Sequence, residues 1–297
     1  MVFFLVVEAT AKPVPEEIPT SGAPINLNGW TYRKKIEIHA DGVQQLDLDL
    51  ETLARVTGDF RDLRVVRDGQ QFPYLVERPG ESHRYVPIAD SIADPKRPAT
   101  SLWKVHLPAA GAPVSQLVCR TLAPLFDRQV VLHEQTAEGV DHTMRTLGSA
   151  RWLRRPTDPS QPLVLVLSST PVTSELLLEM DNGDNPAIAL DDIELDYPVV
   201  RLLFRAPMSP DTFLYYGSTR ASAPSYDLAL IAPQLRAATR REATLGPEEL
   251  VRAASVMEKL QRPGGRRFVF WIGIGIVVLV LLAIIARLVP KSPSPNP

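Results

Sequence analysis

A single cysteine, Cys119, excludes any disulfide within the chain and any zinc site that needs two thiolates. Set in Leu117-Val118-Cys119, it reads as a small core hydrophobe rather than a nucleophile. The five histidines, at 39, 83, 106, 133 and 142, never fall in H-x-H or H-x-x-x-H spacing, so no metal pair is written locally. G-x-S-x-G, a P-loop and a strand-borne G-x-G-x-x-G are all missing. With them go the local signatures of serine hydrolases, phosphate-cradling NTPases and dinucleotide enzymes. An excess of one charge is missing too: 32 Lys+Arg against 34 Asp+Glu leave a net charge of −2, too balanced for a nucleic-acid face. Glycine is scarce at 16 against 28 prolines, a balance that disfavours long helices and suits short strands joined by turns. No cofactor is expected.

What the sequence does have is one long apolar run, Phe268–Ala286, without a charge. At ~1.5 Å per residue it spans ~29 Å, close to the hydrocarbon thickness of a bilayer. Arg266 and Arg267 precede it, Arg287 and Lys291 follow, and Phe268, Phe270 and Trp271 suit the headgroup level. The expectation is a transmembrane helix over 268–286 that contacts the lipid bilayer, with a short tail over 287–297. Residues 1–23 read as a signal-like or disordered lead-in. Val2–Val7 is apolar and Ala9-Thr10-Ala11 has the A-x-A form of a signal-peptidase site. A signal peptide and a plain apolar tail both fit. Arg262, Arg266 and Arg267 against Arg287 and Lys291 slightly favour a cytoplasmic body. The signal-like start favours the opposite. The expected location is the cell membrane, single-pass, with the globular part extracytoplasmic.

Between these ends the pattern is β. Ile36 and Ile38, then Leu46, Leu48 and Leu50, alternate with charged neighbours at period two. Asp68-Gly69 after Leu63–Arg67 predicts a tight hairpin. The expected fold class is mainly β: two tandem antiparallel sandwiches, over 24–123 and 124–225, then a helical stalk over 226–267. Helices are expected at Leu228–Arg241 and Glu248–Leu260, the second opened by Gly246-Pro247.

Several strings occur in a telling order: Trp30-x-Tyr32-Arg33, Asp62-Leu63-Arg64-Val65 before Asp68-Gly69, and Phe72-Pro73-Tyr74. Then come Phe126-Asp127-Arg128, Asn182-Gly183-Asp184-Asn185-Pro186, Leu214-Tyr215-Tyr216-Gly217 and Leu245-Gly246-Pro247-Glu248. The set resembles the bacterial membrane-anchored family known as domain of unknown function 3999, from about Trp30 to the apolar run. That resemblance implies a secreted start, a β-rich ectodomain and one C-terminal span, and brings no established activity. The second unit is also similar to galactose-binding-like sandwiches.

Candidate chemistry is sparse. Asp181 and Asp184 offer oxygens for calcium, but Asn182-Gly183 between them reads first as a turn. Asp191, Asp192, Glu194 and Asp196 form an acidic run that reads as a solvated strand face. Trp103, Tyr215 and Tyr216 read as core aromatics before sugar platforms. The leading expectation is a non-enzymatic envelope protein whose sandwiches bind a polysaccharide or a membrane-protein partner. The alternative is a membrane-bound hydrolase of cell-envelope glycan, using acids such as Asp192 and Glu194.

Overall fold

The computed structural model describes residues 20–251, except 139, 140, 159 and 210. The expected span at 268–286 therefore lies outside the described residues, with its flanking Arg266, Arg267 and Arg287, its ring residues Phe268 and Trp271, and the lead-in over 1–19. Among the described residues no helix is long and apolar enough to cross a membrane.

Alternation makes the first strands. β1 (Tyr32–Glu37) buries Lys34 and Ile36 and turns Lys35 and Glu37 outward. β2 (Gly42–Asp47) follows, then a short helix, α1 (Leu50–Arg55), started by the Asp49 carboxylate accepting from the Thr52 amide at 2.9 Å. β3 (Leu63–Arg67) and β4 (Gln70–Phe72) form the expected hairpin, with Asp68 and Gly69 both at positive φ (50° and 75°). β5 (Leu75–Glu77) is separated from β4 by only Pro73 and Tyr74.

The chain then leaves this body. β6 (Ser82–Tyr85), β7 (Ile88–Ile92), β8 (Thr100–His106), β9 (Gln116–Arg120), β10 (Phe126–Glu138), β11 (Asp141–Arg154), β12 (Leu163–Val166), β13 (Glu175–Asp181) and β14 (Asp192–Pro198) build a sandwich with sheets of its own, whose core is continuous with that of the first body. Its sheets run β11-β10-β13-β8-β7 and β12-β9-β14-β6. Val105, Val130, Leu132, Leu176 and Met180 of one sheet share a core with Leu117, Cys119, Leu165 and Leu195 of the other. Burial pushes the Cys119 thiol up, as suits a core residue.

The chain returns as β15 (Arg201–Ala206), β16 (Thr212–Tyr216), a short helix α2 (Ala232–Ala237) and β17 (Arg240–Leu250). These complete an eight-stranded sheet ordered β4-β3-β16-β1-β17-β2-β15-β5. Its edge strands, β4 and β5, are joined by two residues, so the sheet must curl until its edges approach. Leu63, Phe72, Leu46, Leu202, Phe204, Leu214 and Tyr216 fill the core it encloses.

Two expectations are corrected. The tandem arrangement is a nested one, with 82–198 inserted into the body that 32–77 begin and 201–250 finish. The insertion's first and last strands pair antiparallel, Ser82 opposite Pro198, so its two ends lie side by side and the body accommodates it. The helical stalk is likewise replaced, as far as the described residues reach. Only a 3-10 turn at Asp227–Leu230 and α2 precede β17, which runs antiparallel to β1 and parallel to β2. Two otherwise unpaired strand edges satisfy its backbone better than an isolated helix can. Gly246 and Pro247 together oppose Lys35 in a bulge, which absorbs the missing proline donor.

One close approach carries a prediction. The Leu147 carbonyl accepts from the Ser168 amide at 2.8 Å, and the Val164 carbonyl from the Trp152 indole at 2.9 Å, so β11 folds onto the edge of β12. A Cβ on Gly148 would press on the Val166 carbonyl oxygen and lie 2.9 Å from Leu165 Cδ2. Gly148→Ala is expected to destabilise by ~1–3 kcal/mol, as overpacking does. Thermal unfolding checks it, and an unchanged midpoint would show that the two strands part freely.

Candidate functional site

Some of the buried charge in this chain is answered by opposite charge, and some is not: Arg64, 6% exposed, donates to the carbonyls of Arg61, Leu63 and Ser222, and its Nε has no partner among the described residues. Glu134 accepts from the Arg145 guanidinium, from the Val172 and Thr173 amides at 2.8 and 3.0 Å, and from the Thr173 hydroxyl. Burial alone would raise its carboxyl, but these donors outweigh it and hold it below the usual carboxylate range. Lys34 likewise sits against Asp49 and Glu51, at 2.6 and 2.7 Å.

At the end of the sandwich where β10 begins and β11 finishes, two more buried guanidiniums stand without a carboxylate, and here they lie together. A cleft of about 590 Å³ is lined by Leu125, Phe126, Asp127, Arg128, Arg151, Leu153, Arg154, Arg155 and Asn185. The hairpin register sets Phe126 opposite Arg154 and Asp127 opposite Leu153. Alternation along β11 turns Trp152 and Arg154 inward and leaves Arg151 and Leu153 outward, and Arg155, just past its end, is exposed.

Arg128 is only 6% exposed. Its guanidinium donates to the Asp127 and Pro186 carbonyls at 2.9 and 3.2 Å, and its Nε has no partner. Arg154, 7% exposed, donates to the carbonyls of Thr121, Ala123 and Gln161 and lies over the Phe126 ring. Among the described residues neither has a carboxylate within ion-pair distance, nor has Arg155. Asp127, the only acid in the lining, is gripped at both oxygens by Arg151 Nε and Nη2, at 2.7 and 2.5 Å. Those hydrogen bonds hold its carboxyl below the usual range and raise Arg151 in turn. Four guanidiniums against one carboxylate leave a surplus of three positive charges. Such a cleft can hold an anion through planar, forked donors. No nucleophile beside a free base is present in it.

The residues singled out by sequence lie elsewhere, apart from a neighbour of the turn. Asp181 accepts from the Gly183 amide at 2.9 Å, Asp184 is exposed, and no cluster of three metal-ligating side chains exists among the described residues. Asn182-Gly183 is a turn but not a hairpin, because β13 and β14 belong to different sheets. It does bring Asn185 to the cleft. Asp192, Glu194 and Asp196 share one face of β14, but it is not the solvated face expected: Asp196 is buried and Glu194 half-buried, because arginines answer them. Arg120 lies 3.3 Å from Asp192 and 3.5 Å from Glu194; Arg84 lies 3.1 Å from Glu194 and 3.2 Å from Asp196. Trp103, Tyr215 and Tyr216 are buried. The arginine cleft was missed. Its local signal was the run from Arg151 through Arg154-Arg155, but its meeting with Arg128 depends on the hairpin.

Removing the one acid should tune the cleft. Asp127→Asn is expected to tighten binding of an anionic ligand about two- to fivefold at low salt, with the gain fading as salt screens it. Titration at two ionic strengths checks this, and weaker binding would show that Asp127 itself contacts the ligand.

Two solved structures are similar to this chain. One is the F5/8 type C domain of a Bacteroides fragilis protein, at 10% identity and a TM-score of 0.26, covering 46% of this chain and 97% of that one. The other is from infectious bursal disease virus, Gt strain, at 9% identity and a TM-score of 0.19, covering 82% of this chain and 70% of that one. At such scores the sandwich assignment stands on the strand pairing of this chain. No family model matches, which leaves the resemblance to domain of unknown function 3999 without that support, and no curated protein matches.

Proposed function

We propose that the inserted sandwich is a non-catalytic binding module whose arginine cleft takes an anionic group on a glycan or protein partner. The observation that carries this reading is the pair of buried guanidiniums, Arg128 and Arg154, without a carboxylate. Burying a cation without a counter-charge costs several kcal/mol, and a ligand carboxylate or sulfate would relieve that cost. We propose further that the body is held at the cell membrane, which the apolar run at 268–286 supports, and on its outer side, which the signal-like start supports. The ordered motifs support membership of the family known as domain of unknown function 3999.

Polygalacturonate, dextran sulfate and neutral dextran, titrated against the full chain in detergent, test the cleft. The two polyanions are expected to bind and the neutral polymer not to. Arg155→Glu should weaken polyanion binding tenfold or more without moving the melting temperature, since one charge-assisted hydrogen bond contributes ~1.5–3 kcal/mol. Equal binding of dextran, or no effect of the charge reversal, would overturn the reading.

Orientation is tested by alkaline phosphatase fused after Val251 or after Pro297 in a bacterial host; β17 must stay whole, so the first fusion follows it. Activity at the first site alone is expected. Activity at the second site alone would place the body in the cytoplasm.

A further inference from the structure

Three leucines ring the arginine cleft. Leu125 and Leu153, which line it, are 66% and 51% exposed. Leu122, 86% exposed, stands between Thr121 and Ala123, whose carbonyls are fixed by Arg154. A lone exposed leucine is ordinary, but three around a desolvated charge form a mixed patch of the kind that marks a docking surface. Meanwhile, the one aromatic ring in the cleft lining, Phe126, is buried beneath Arg154, so the cleft presents no ring on which a sugar could stack.

The cleft also has a direction. Arg151 and Leu153 follow one another along the outward face of β11, ~6.6–6.8 Å apart, and Arg155, exposed just past its end, continues the order cation, apolar, cation. Leu153 and Arg154 line a second cavity of about 360 Å³, with Asp158, Gln161, Pro162 and Leu163. The patch is therefore elongated beyond what a single ion would fill. Extended polypeptide shares the same backbone repeat, so acid, apolar and acid side chains on one of its faces fall in step with that row.

We infer that the occupant is an extended acidic polypeptide segment, with apolar side chains between its carboxylates, rather than a polysaccharide. This rests on the anion-binding reading of the cleft. Carboxylates of the partner meet the exposed Arg155 and lie in the field of the buried Arg128 and Arg154, and its apolar side chains cover Leu122, Leu125 and Leu153. Arg151 keeps Asp127.

The test uses the full chain in detergent and three probes: a short labelled peptide alternating glutamate with leucine, one alternating glutamate with serine, and polygalacturonate. The glutamate–leucine peptide is expected to bind at least tenfold tighter than either other probe. Leu122→Ser combined with Leu125→Ser should weaken it about tenfold, leaving the glutamate–serine peptide unchanged. Arg155→Glu should weaken every probe that binds, and phosphatidylglycerol added to the micelles should not displace the peptide. Polygalacturonate binding as tightly as the glutamate–leucine peptide, displacement by the lipid, or an indifferent leucine variant would each sink this inference. Any of those results, with Arg155→Glu still effective, leaves anion binding standing. Failure of all three probes to bind brings down both.

Discussion

Everything in the host body depends on β17 lying between β1 and β2. The first two strands follow each other along the chain, yet they do not pair. They are held apart and joined through the last described strand, Tyr32 opposite Leu250 on one side and Val43 opposite Arg240 on the other. Only Ala243 of that strand is buried. Its hold comes from backbone hydrogen bonds and from ion pairs such as Arg33–Glu249 at 2.7 Å, Arg55–Glu248 at 2.9 Å and Arg240–Glu77 at 3.0 Å. Closure of the sheet is thus deferred until the chain's end arrives. Pairing over such separations costs loop entropy before it is rewarded, which places this body among slow-folding topologies.

The sandwich avoids that dependence. Its strands pair with one another, and β6 with β14 brings its two ends together. An insertion closed in this way can be stable while its host is still incomplete. Its exposed end can also vary with little effect on the host sheet. Buried polar atoms without a partner occur in both bodies, Arg64 Nε and Gln44 Oε1 in the host and Arg128 Nε in the sandwich. Glu134 and Arg128 lie on the same strand and show both cases, one charge fully answered and the other left open.

Strand content was legible because period-two alternation is a local property. Lys34 and Ile36 are buried beside exposed Lys35 and Glu37, and Asp68-Gly69 made its turn. Nesting was not legible, because nothing local distinguishes a strand that waits for a distant partner from one that has its partner next in sequence. The misread stretch after Tyr226 shows the same limit. Gly246-Pro247-Glu248-Glu249 suits a helix start by composition, but waiting strand edges decided its conformation. At the cleft, Phe126-Asp127-Arg128 was visible as a motif and Arg154-Arg155 as a charge run. Their convergence was hidden because a register, not a spacing, produces it.

That register also bears on how well the cleft would bind. Eight of its nine lining residues come from the paired ends of β10 and β11 or the residues flanking them, and only Asn185 comes from elsewhere. Arg128 and Arg154 are further fixed by carbonyls at 127, 186, 121, 123 and 161. Guanidiniums held in this way have already lost the rotamer freedom that a surface arginine gives up on binding, on the order of 0.5–1.5 kcal/mol for each side chain. Leu122 and Leu125, in the short connection between β9 and β10, are anchored through the same Arg154 contacts. Charge donors and apolar rim are therefore held by one strand pair, and affinity at this end of the sandwich should follow the match of the partner's spacing to that pair rather than its total charge.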